Sequence, residues 1–100
     1  MRVVYAELAR QDISSIYEFL FRRSATVAPQ VEALIRARCE RLAEFPKNGA
    51  TTNRKGIRRL PLVRYPYTIF YEVKTADDLI EILRVVHGAR VKNLRRVPKR

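Results

Sequence analysis

One histidine and several arginines are the side chains of this sequence best suited to chemistry on a phosphodiester. His87 ionises near neutral pH, so it could take up or release the proton of a hydroxyl group. Guanidinium groups bind phosphate through parallel N–H donors. The arginines that could supply them are Arg58, Arg59, Arg64, Arg84 and Arg90. A second proton carrier is harder to find, because Tyr65 or Tyr67 would need a strongly lowered pKa. A purely structural role for His87 therefore stays open beside the catalytic one.

The sequence contains no motif for a metal, a nucleotide or a redox cofactor. GxGxxG, Walker, CxxC and HExxH patterns do not occur, and one histidine with one cysteine cannot form a zinc site alone. Cys39 lies on the apolar stripe of a predicted helix, which favours a buried core thiol over a nucleophile. Asp77 and Asp78 fall in a predicted turn, which explains them better than acid–base catalysis does. We therefore expect no metal, no cofactor and no small-molecule substrate.

Length and composition predict one small domain. The chain has 100 residues, of which 47% are hydrophobic, so it is too apolar for a disordered tail and long enough for one modest core. No apolar run approaches the roughly 18 residues that span a bilayer. A single cysteine and the lack of a signal-peptide pattern point to a reducing cytoplasm. We assign residues 1–90 to the domain and residues 91–100 to a basic tail.

Positive charge is concentrated in the second half of the sequence, and the formal net charge is +11. Residues 46–74 carry seven basic side chains against Glu72 alone, and residues 84–100 carry seven without any acid. Solubility does not require such an asymmetry, so the pattern favours a polyanionic partner, either a nucleic acid or an acidic protein. An incidentally basic protein is the alternative, because charge alone indicates partners only loosely.

Hydrophobic periodicity predicts an α+β fold in the order β-α-α-β-β-β. The predicted elements are an N-terminal strand at 1–5, a helix from Ala6 to about Arg23, a helix with Pro29 in its first turn that ends at Phe45, an exposed loop at 47–56, and strands at 57–62, 67–74 and 79–86. Short connections make the last strands a small antiparallel sheet, and a two-helix hairpin can cover only one of its faces. The other face must then meet water or a partner.

Alternation along the last strand places two of the candidate residues apart. If the strand is regular, Arg84 shares a face with Ile82 and Val86, whereas His87 shares the opposite face with Val85. Only a bulge near the strand end would bring Arg84 and His87 together. We expect a regular strand, with these residues in separate sites.

Four segments in register resemble the RelE/ParE superfamily of toxins from bacterial type II toxin–antitoxin modules. They are residues 9–19 (ARQDISSIYEF), 41–46 (RLAEFP), 56–60 with 65–71 (GIRRL and YPYTIFY) and 81–90 (EILRVVHGAR). The likeness covers residues 3–90 and follows the order of the predicted elements. It implies a small α+β toxin that a cognate antitoxin holds inactive by wrapping its C-terminal segment over it.

The resemblance includes two branches with different targets. Members of the ParE branch poison DNA gyrase without being enzymes, whereas members of the RelE branch cleave mRNA in the ribosomal A site. The ending His87-Gly88-Ala89-Arg90 is more similar to the ParE branch, and the tail lacks the Tyr or His that RelE-like members place near the C-terminus. We therefore expect a gyrase-directed toxin that is not an enzyme. A metal-independent ribonuclease acting at the ribosome through His87, Arg90 and Arg64 is the alternative.

We expect one cationic sheet surface to contact the antitoxin or the target. Its predicted members are Arg58, Arg59, Arg64, Tyr65, Arg84 and Arg90. An acidic, disordered antitoxin segment could lie along this surface, stabilised by apolar contacts and charge-assisted hydrogen bonds. Two other interpretations stay open. The arginines could be solvated strand-edge residues that deter aggregation, or the chain could be a nucleic-acid-binding module without toxicity.

Overall fold

The computed structural model describes residues 1–88 and confirms the α+β fold with its N-terminal strand and two-helix hairpin. Arg90 and the predicted tail at 91–100 lie outside the described residues. The elements are β1 (Arg2–Tyr5), α1 (Glu7–Phe21), α2 (Val27–Arg41), β2 (Ala50–Thr51), β3 (Ile57–Pro61), β4 (Tyr67–Lys74) and β5 (Leu79–His87), with a 3₁₀ turn at Thr75–Asp77. Only β2 was not expected, since it lies inside the predicted loop. Within residues 1–88 no helix has both the length and the apolar character needed to cross a bilayer.

The strands form one sheet in the order β1-β5-β4-β3-β2. β3, β4 and β5 pair antiparallel, as their short connections predicted. β1 pairs parallel with β5, with Arg2 opposite Leu79 and Tyr5 opposite Ile82, so the sheet as a whole is mixed. A parallel pair needs a long crossover connection, which the helices and the other strands supply here. Because β1 ends opposite Ile82, the second half of β5 extends past it.

The helices pack on one face of the sheet, and the core lies between these layers. Buried side chains recur along each helix at the spacing of one face, as the periodicity predicted. The core members from the helices are Ala9, Ile13, Val31, Ile35 and Cys39. Alternate residues complete the core from the sheet side, and these include Tyr67, Ile69, Tyr71, Ile80 and Ile82.

The two aspartates between β4 and β5 have the structural role that the turn pattern predicted. Asp77 ends the 3₁₀ turn, and Asp78 adopts a left-handed conformation with φ 52°. Aspartate tolerates this conformation better than most residues, because its short polar side chain can bond to nearby backbone. The N–H of Asp78 donates to the carbonyl of Thr75 at 3.1 Å, which closes the turn.

Cys39 is a buried core thiol, as its place on the apolar stripe predicted. Burial raises the pKa of this thiol to about 12, because its surroundings solvate a thiolate poorly. We expect iodoacetamide at mildly alkaline pH to leave the native protein unmodified and to alkylate the unfolded protein fully. Mass spectrometry of both samples tests this expectation, and rapid labelling of the native protein would contradict it.

A buried tyrosine anchors the loop between α2 and β3. The Tyr71 hydroxyl donates to the carbonyl oxygen of Pro46 and accepts from the backbone N–H of Gly49, each at 2.8 Å. Arg58 donates from Nη1 to the carbonyl oxygen of Gly49 at 2.8 Å. We call these four residues the loop anchor. It determines how the chain enters β2 and β3.

Removing the Tyr71 hydroxyl is expected to destabilise the protein by about 1–3 kcal/mol, because Tyr71→Phe leaves a buried N–H and a carbonyl without their partner. Urea denaturation followed by circular dichroism measures the change. Tyr17→Phe is the matched control, because the Tyr17 ring stacks on Phe21 and its hydroxyl makes no hydrogen bond within the described residues. Equal losses in the two variants would contradict a specific role for the anchor.

Candidate functional site

A β-bulge in β5 decides where the candidate residues point. Phe70 of β4 lies opposite Arg84, but the next residue, Tyr71, lies opposite Ile82. Leu83 is therefore an extra residue in β5. An extra residue shifts the alternation of side chains along the rest of the strand.

Beyond the bulge, His87 faces the helix-covered side of the sheet. It lies opposite Tyr67, and Val85 lies opposite Ile69, whose side chain belongs to the core. The rings of His87 and Tyr67 meet edge to face with centroids 5.6 Å apart. Burial raises the pKa of Tyr67, so its hydroxyl stays protonated at neutral pH.

Asp12 of α1 binds both a side chain and the backbone of β5. Arg84 donates from Nε at 2.7 Å and from Nη2 at 3.1 Å to the Asp12 carboxylate, and the backbone N–H of Val85 donates to the same group at 2.9 Å. The side chains of Arg84 and Asp12 are only 19% and 16% exposed. The carboxylate raises the pKa of Arg84, so the guanidinium stays charged. Its charge is already matched inside the protein.

The path of the chain from β1 into α1 explains why Asp12 reaches β5. The N–H of Ala6 donates to the carbonyl of Ile82 at 2.9 Å, so α1 begins beside β5 at the point where β1 ends. The helix then passes the second half of β5, whose outer edge β1 leaves unpaired. Asp12 supplies an acceptor to that edge in place of a strand.

The ion pair forms part of the wall of a cavity of about 600 Å³ between α1 and the ends of β4 and β5. The lining residues are Asp12, Ser15, Ile16, Phe19, Tyr67, Arg84, Val85, Val86 and His87. Its size is within the range of small-ligand pockets. Within residues 1–88, no three His, Cys, Asp or Glu side chains are placed to hold a metal ion.

The expectation that Arg84 and His87 lie in separate sites is therefore wrong, since both line this cavity. They still point to opposite faces of β5, because the extra residue Leu83 precedes both: it turns Val85 and His87 to the helix-covered face and leaves Arg84, opposite Phe70, on the other. Arg84 reaches the cavity by bonding to Asp12 at the outer edge of β5, which β1 does not cover. Asp12 was not predicted from the sequence as the partner of Arg84. The available signal was an acid on the stripe of α1 that also carries Ala9 and Ile13.

The structure does not assemble the predicted arginines into one surface. Arg58 lies opposite Tyr71 and faces the helix side, where it belongs to the loop anchor. Arg59 lies opposite Phe70 and faces the other side. Adjacent strand residues point to opposite faces, so the side chains of Arg58 and Arg59 diverge. The Nε of Arg59 is buried and has no hydrogen-bond partner among the described residues.

The sheet face away from the helices is not open at its centre, which corrects the prediction of an uncovered face. Phe70 is fully buried there, and Thr68 and Val86 are 3% and 8% exposed. Leaving a large apolar side chain in water forfeits about 1.5–3 kcal/mol, which favours burying Phe70.

The remaining predicted contact residues lie between β3 and β4 or beyond the described part. Arg64 is exposed in the connecting loop. Tyr65 is half-buried and packs against the core. The N–H of Gly88 donates to the carbonyl of Pro66 at 2.6 Å, so this loop lies beside the end of β5. Arg90 lies outside the described residues.

Several solved toxin structures share this fold. The chromosomal ParDE toxin–antitoxin system from P. aeruginosa matches with a TM-score of 0.75 and 24% identity, covering 87% of this chain and 95% of that chain. The RelBE2 toxin–antitoxin complex from Mycobacterium tuberculosis matches with a TM-score of 0.64 and 21% identity, over 86% and 95% of the two chains. The intact E. coli RelBE complex matches with a TM-score of 0.60 and 14% identity, over 86% and 94%.

Sequence comparison identifies the family. No curated protein sequence matches the chain. The family model described as the ParE toxin of the type II toxin–antitoxin system parDE, in contrast, matches residues 3–92 of the sequence. The match includes every helix and nearly every strand residue described above. This protein therefore belongs to the ParE toxin family of type II toxin–antitoxin systems.

Proposed function

We propose that this protein is the toxin of a type II toxin–antitoxin pair, that it stops growth by binding DNA gyrase, and that a cognate antitoxin neutralises it. The observation that carries the proposal is the match of the ParE toxin family over residues 3–92. The ParE branch acts on gyrase by binding rather than by catalysis. A gyrase-directed toxin works in the bacterial cytoplasm, which is the compartment we propose.

The state of Arg84 supports binding over catalysis. A ribonuclease needs cations that are free to hold the phosphate as charge develops on it. Two nitrogens of the Arg84 guanidinium are bonded to Asp12, so the arginine that lines the cavity together with His87 is already compensated. Tyr67, which contacts His87, does not serve as a base at neutral pH, because burial raises the pKa of its hydroxyl further above its ordinary value and the hydroxyl stays protonated.

Two assays on the purified toxin test the target. We expect the toxin to inhibit supercoiling by purified gyrase and to leave the mRNA intact in a translation reaction mapped by primer extension. The observations that favour the alternative, a ribosome-dependent ribonuclease, are the fold shared with RelBE toxins and the contact between His87 and Tyr67. Codon-phased cuts that disappear in His87→Ala or Arg64→Ala would replace the proposal with that alternative.

Toxicity itself separates these functions from a plain nucleic-acid-binding module. Induced expression is expected to arrest growth, and co-expression with the product of a neighbouring reading frame for a short acidic protein is expected to restore it. Normal growth with abundant folded protein would contradict both toxin functions.

Arg59 is the contact residue that we expect to matter most for the antitoxin. Its side chain is partly exposed on the sheet face away from the helices and forms no salt bridge within residues 1–88, so its guanidinium can bind a carboxylate of an acidic antitoxin segment. We expect Arg59→Glu to weaken antitoxin binding at least about tenfold, since it replaces an attraction with a repulsion. Isothermal titration calorimetry measures the affinity. Arg10→Glu, on the exposed side of α1, is the matched control, and equal affinities of the two variants would refute this placement.

A further inference from the structure

A run of unopposed positive charge occupies the hairpin between α2 and β4. No acidic residue occurs between Glu44 and Glu72. The basic residues in that interval are Lys47, Arg54, Lys55, Arg58, Arg59 and Arg64. We call residues 47–59 the cationic hairpin. Its exposed cations are Lys47, Arg54 and Lys55, whereas Arg58 and Arg59 are partly buried.

The exposed charges of the cationic hairpin are not neutralised within the described part of the chain. The salt bridges there join Arg36 to Glu32, Lys74 to Glu81, and Arg84 to Asp12. Glu72 faces the base of the turn from β4, yet it forms no ion pair with Lys55 in residues 1–88. Like charges held close together repel one another, and a polyanion would relieve that repulsion.

The hairpin is also held in a defined shape before any partner binds. The Thr52 hydroxyl is 2.8 Å from the carbonyl oxygen of Ile57 and accepts from the N–H of Arg54 at 3.1 Å. Gly56 has φ +84°, a conformation that glycine adopts without strain and that closes the turn. The loop anchor fixes the other end. Little backbone entropy is therefore lost when Lys47, Arg54 and Lys55 meet a ligand, and the cost of binding is confined to their side-chain rotamers.

The composition of the tip of the cationic hairpin, residues 51–56, favours a nucleic acid over an acidic protein as the ligand. Residues 51–56 carry no apolar side chain, and protein interfaces depend on buried apolar or aromatic anchors. Within residues 1–88, the exposed large apolar residues Phe19, Phe21, Phe45 and Val63 lie outside the hairpin. Phe45 comes closest in the chain, two residues before Lys47, and its ring lies under the guanidinium of Arg41. Phosphate contacts, in contrast, require only cations and polar groups.

We propose that the cationic hairpin binds the phosphate backbone of a nucleic acid, with Lys47, Arg54 and Lys55 as the contacting side chains. The contact depends on charge rather than on base sequence. It goes beyond the proposed toxin function, because it holds for DNA or RNA and does not depend on which macromolecule the toxin inhibits.

Fluorescence anisotropy with labelled duplex DNA and with labelled single-stranded RNA, across a series of salt concentrations, tests the proposal. The test variant of the full chain carries Lys47→Gln, Arg54→Gln and Lys55→Gln. The charge-matched control carries Arg10→Gln, Arg22→Gln and Arg38→Gln, which change three cations of the helical layer. Circular dichroism melts establish that both variants fold.

We expect the hairpin variant to bind at least about tenfold more weakly at moderate salt. On duplex DNA, the negative slope of log affinity against log salt is expected to become shallower by about 2 to 3. The control is expected to lose far less. A larger loss on one probe identifies DNA or RNA as the preferred source of phosphate.

Equal losses in the two variants would overturn the proposal, because only net charge would then matter. An unchanged affinity of the hairpin variant would overturn it as well. If that variant bound nucleic acid normally but lost affinity for the antitoxin, the hairpin would be a protein-binding surface instead. Gyrase inhibition is measured separately, so failure of the proposed function is distinguishable from failure of this inference.

Discussion

Asp12→Ala is expected to lower the free energy of unfolding by about 2–4 kcal/mol. The substitution leaves the guanidinium of Arg84 and the N–H of Val85 without the carboxylate that binds both. Breaking a fully buried ion pair costs about 3–5 kcal/mol, and exposed pairs contribute at most about 1 kcal/mol. The Asp12–Arg84 pair lies between these limits but near the buried one, since its side chains are 16% and 19% exposed.

Urea denaturation measures this loss, and two further variants isolate its cause. Ser14→Ala, at an exposed position of the same helix, should leave stability nearly unchanged. Adding Arg84→Met to Asp12→Ala should recover part of the loss, because the uncompensated charge is removed together with its partner. A loss below about 1 kcal/mol for Asp12→Ala would show that the pair behaves like an exposed one.

The second large effect is expected at Gly49. A Cβ at this position would lie 2.6 Å from the carbonyl oxygen of Arg59 and 2.8 Å from the ring and the hydroxyl of Tyr71. Gly49 is buried and its N–H already bonds to that hydroxyl, so neither the backbone of β3 nor the tyrosine can move without breaking the loop anchor. We expect Gly49→Ala to destabilise the protein by about 2–3 kcal/mol, as overpacking of a well-filled site does.

Gly88→Ala is the matched control for Gly49→Ala. A Cβ there would lie 3.5 Å from the carbonyl oxygen of Pro66, which is ordinary van der Waals contact. Thermal melts of both variants compare the positions, and a loss of 2 kcal/mol corresponds to roughly 10 °C in a domain of this size. Comparable melting temperatures for the two variants would refute the steric argument. Combining Gly49→Ala with Tyr71→Phe should relieve little, because the contact with the backbone of Arg59 remains.

These two sites show how the fold positions the cavity and the cationic hairpin. The Asp12–Arg84 bond holds α1 against the second half of β5 and shapes the cavity beside His87. The loop anchor holds the start of the cationic hairpin against β4. Variants at either site are therefore expected to lower the stability of the fold. They are expected to change binding only indirectly, by disturbing the cavity or the cationic hairpin.

Most of the elements and the family could be predicted from residues that are close in the chain. The stripes of α1 and α2, the alternation of Tyr67, Ile69 and Tyr71, and the turn at Asp77 each depend on spacings of a few residues. Local periodicity carries such information because the face of a helix or a strand that is buried must be apolar along its length. The same segments carried the resemblance to the toxin superfamily.

The arrangement of the site depended on contacts that no local pattern records. The run from Leu79 to Val86 is almost continuously apolar, so its alternation could not reveal the bulge at Leu83 that turned His87 to the helix-covered face of the sheet. Arg58 and Arg59 were expected on one surface, but pairing with β4 placed them on opposite faces.

The sequence by itself determined the order of elements, the apolar faces that form the core, the turn chemistry and the surplus of positive charge. Only the tertiary structure decided which charges remain available. Arg84 is matched by an acid 72 residues away and Arg58 by a carbonyl of the loop anchor, whereas Lys47, Arg54 and Lys55 remain exposed. The physical reason is that an ion pair or a strand register depends on distance in space, and distant segments of a chain are brought together only by folding.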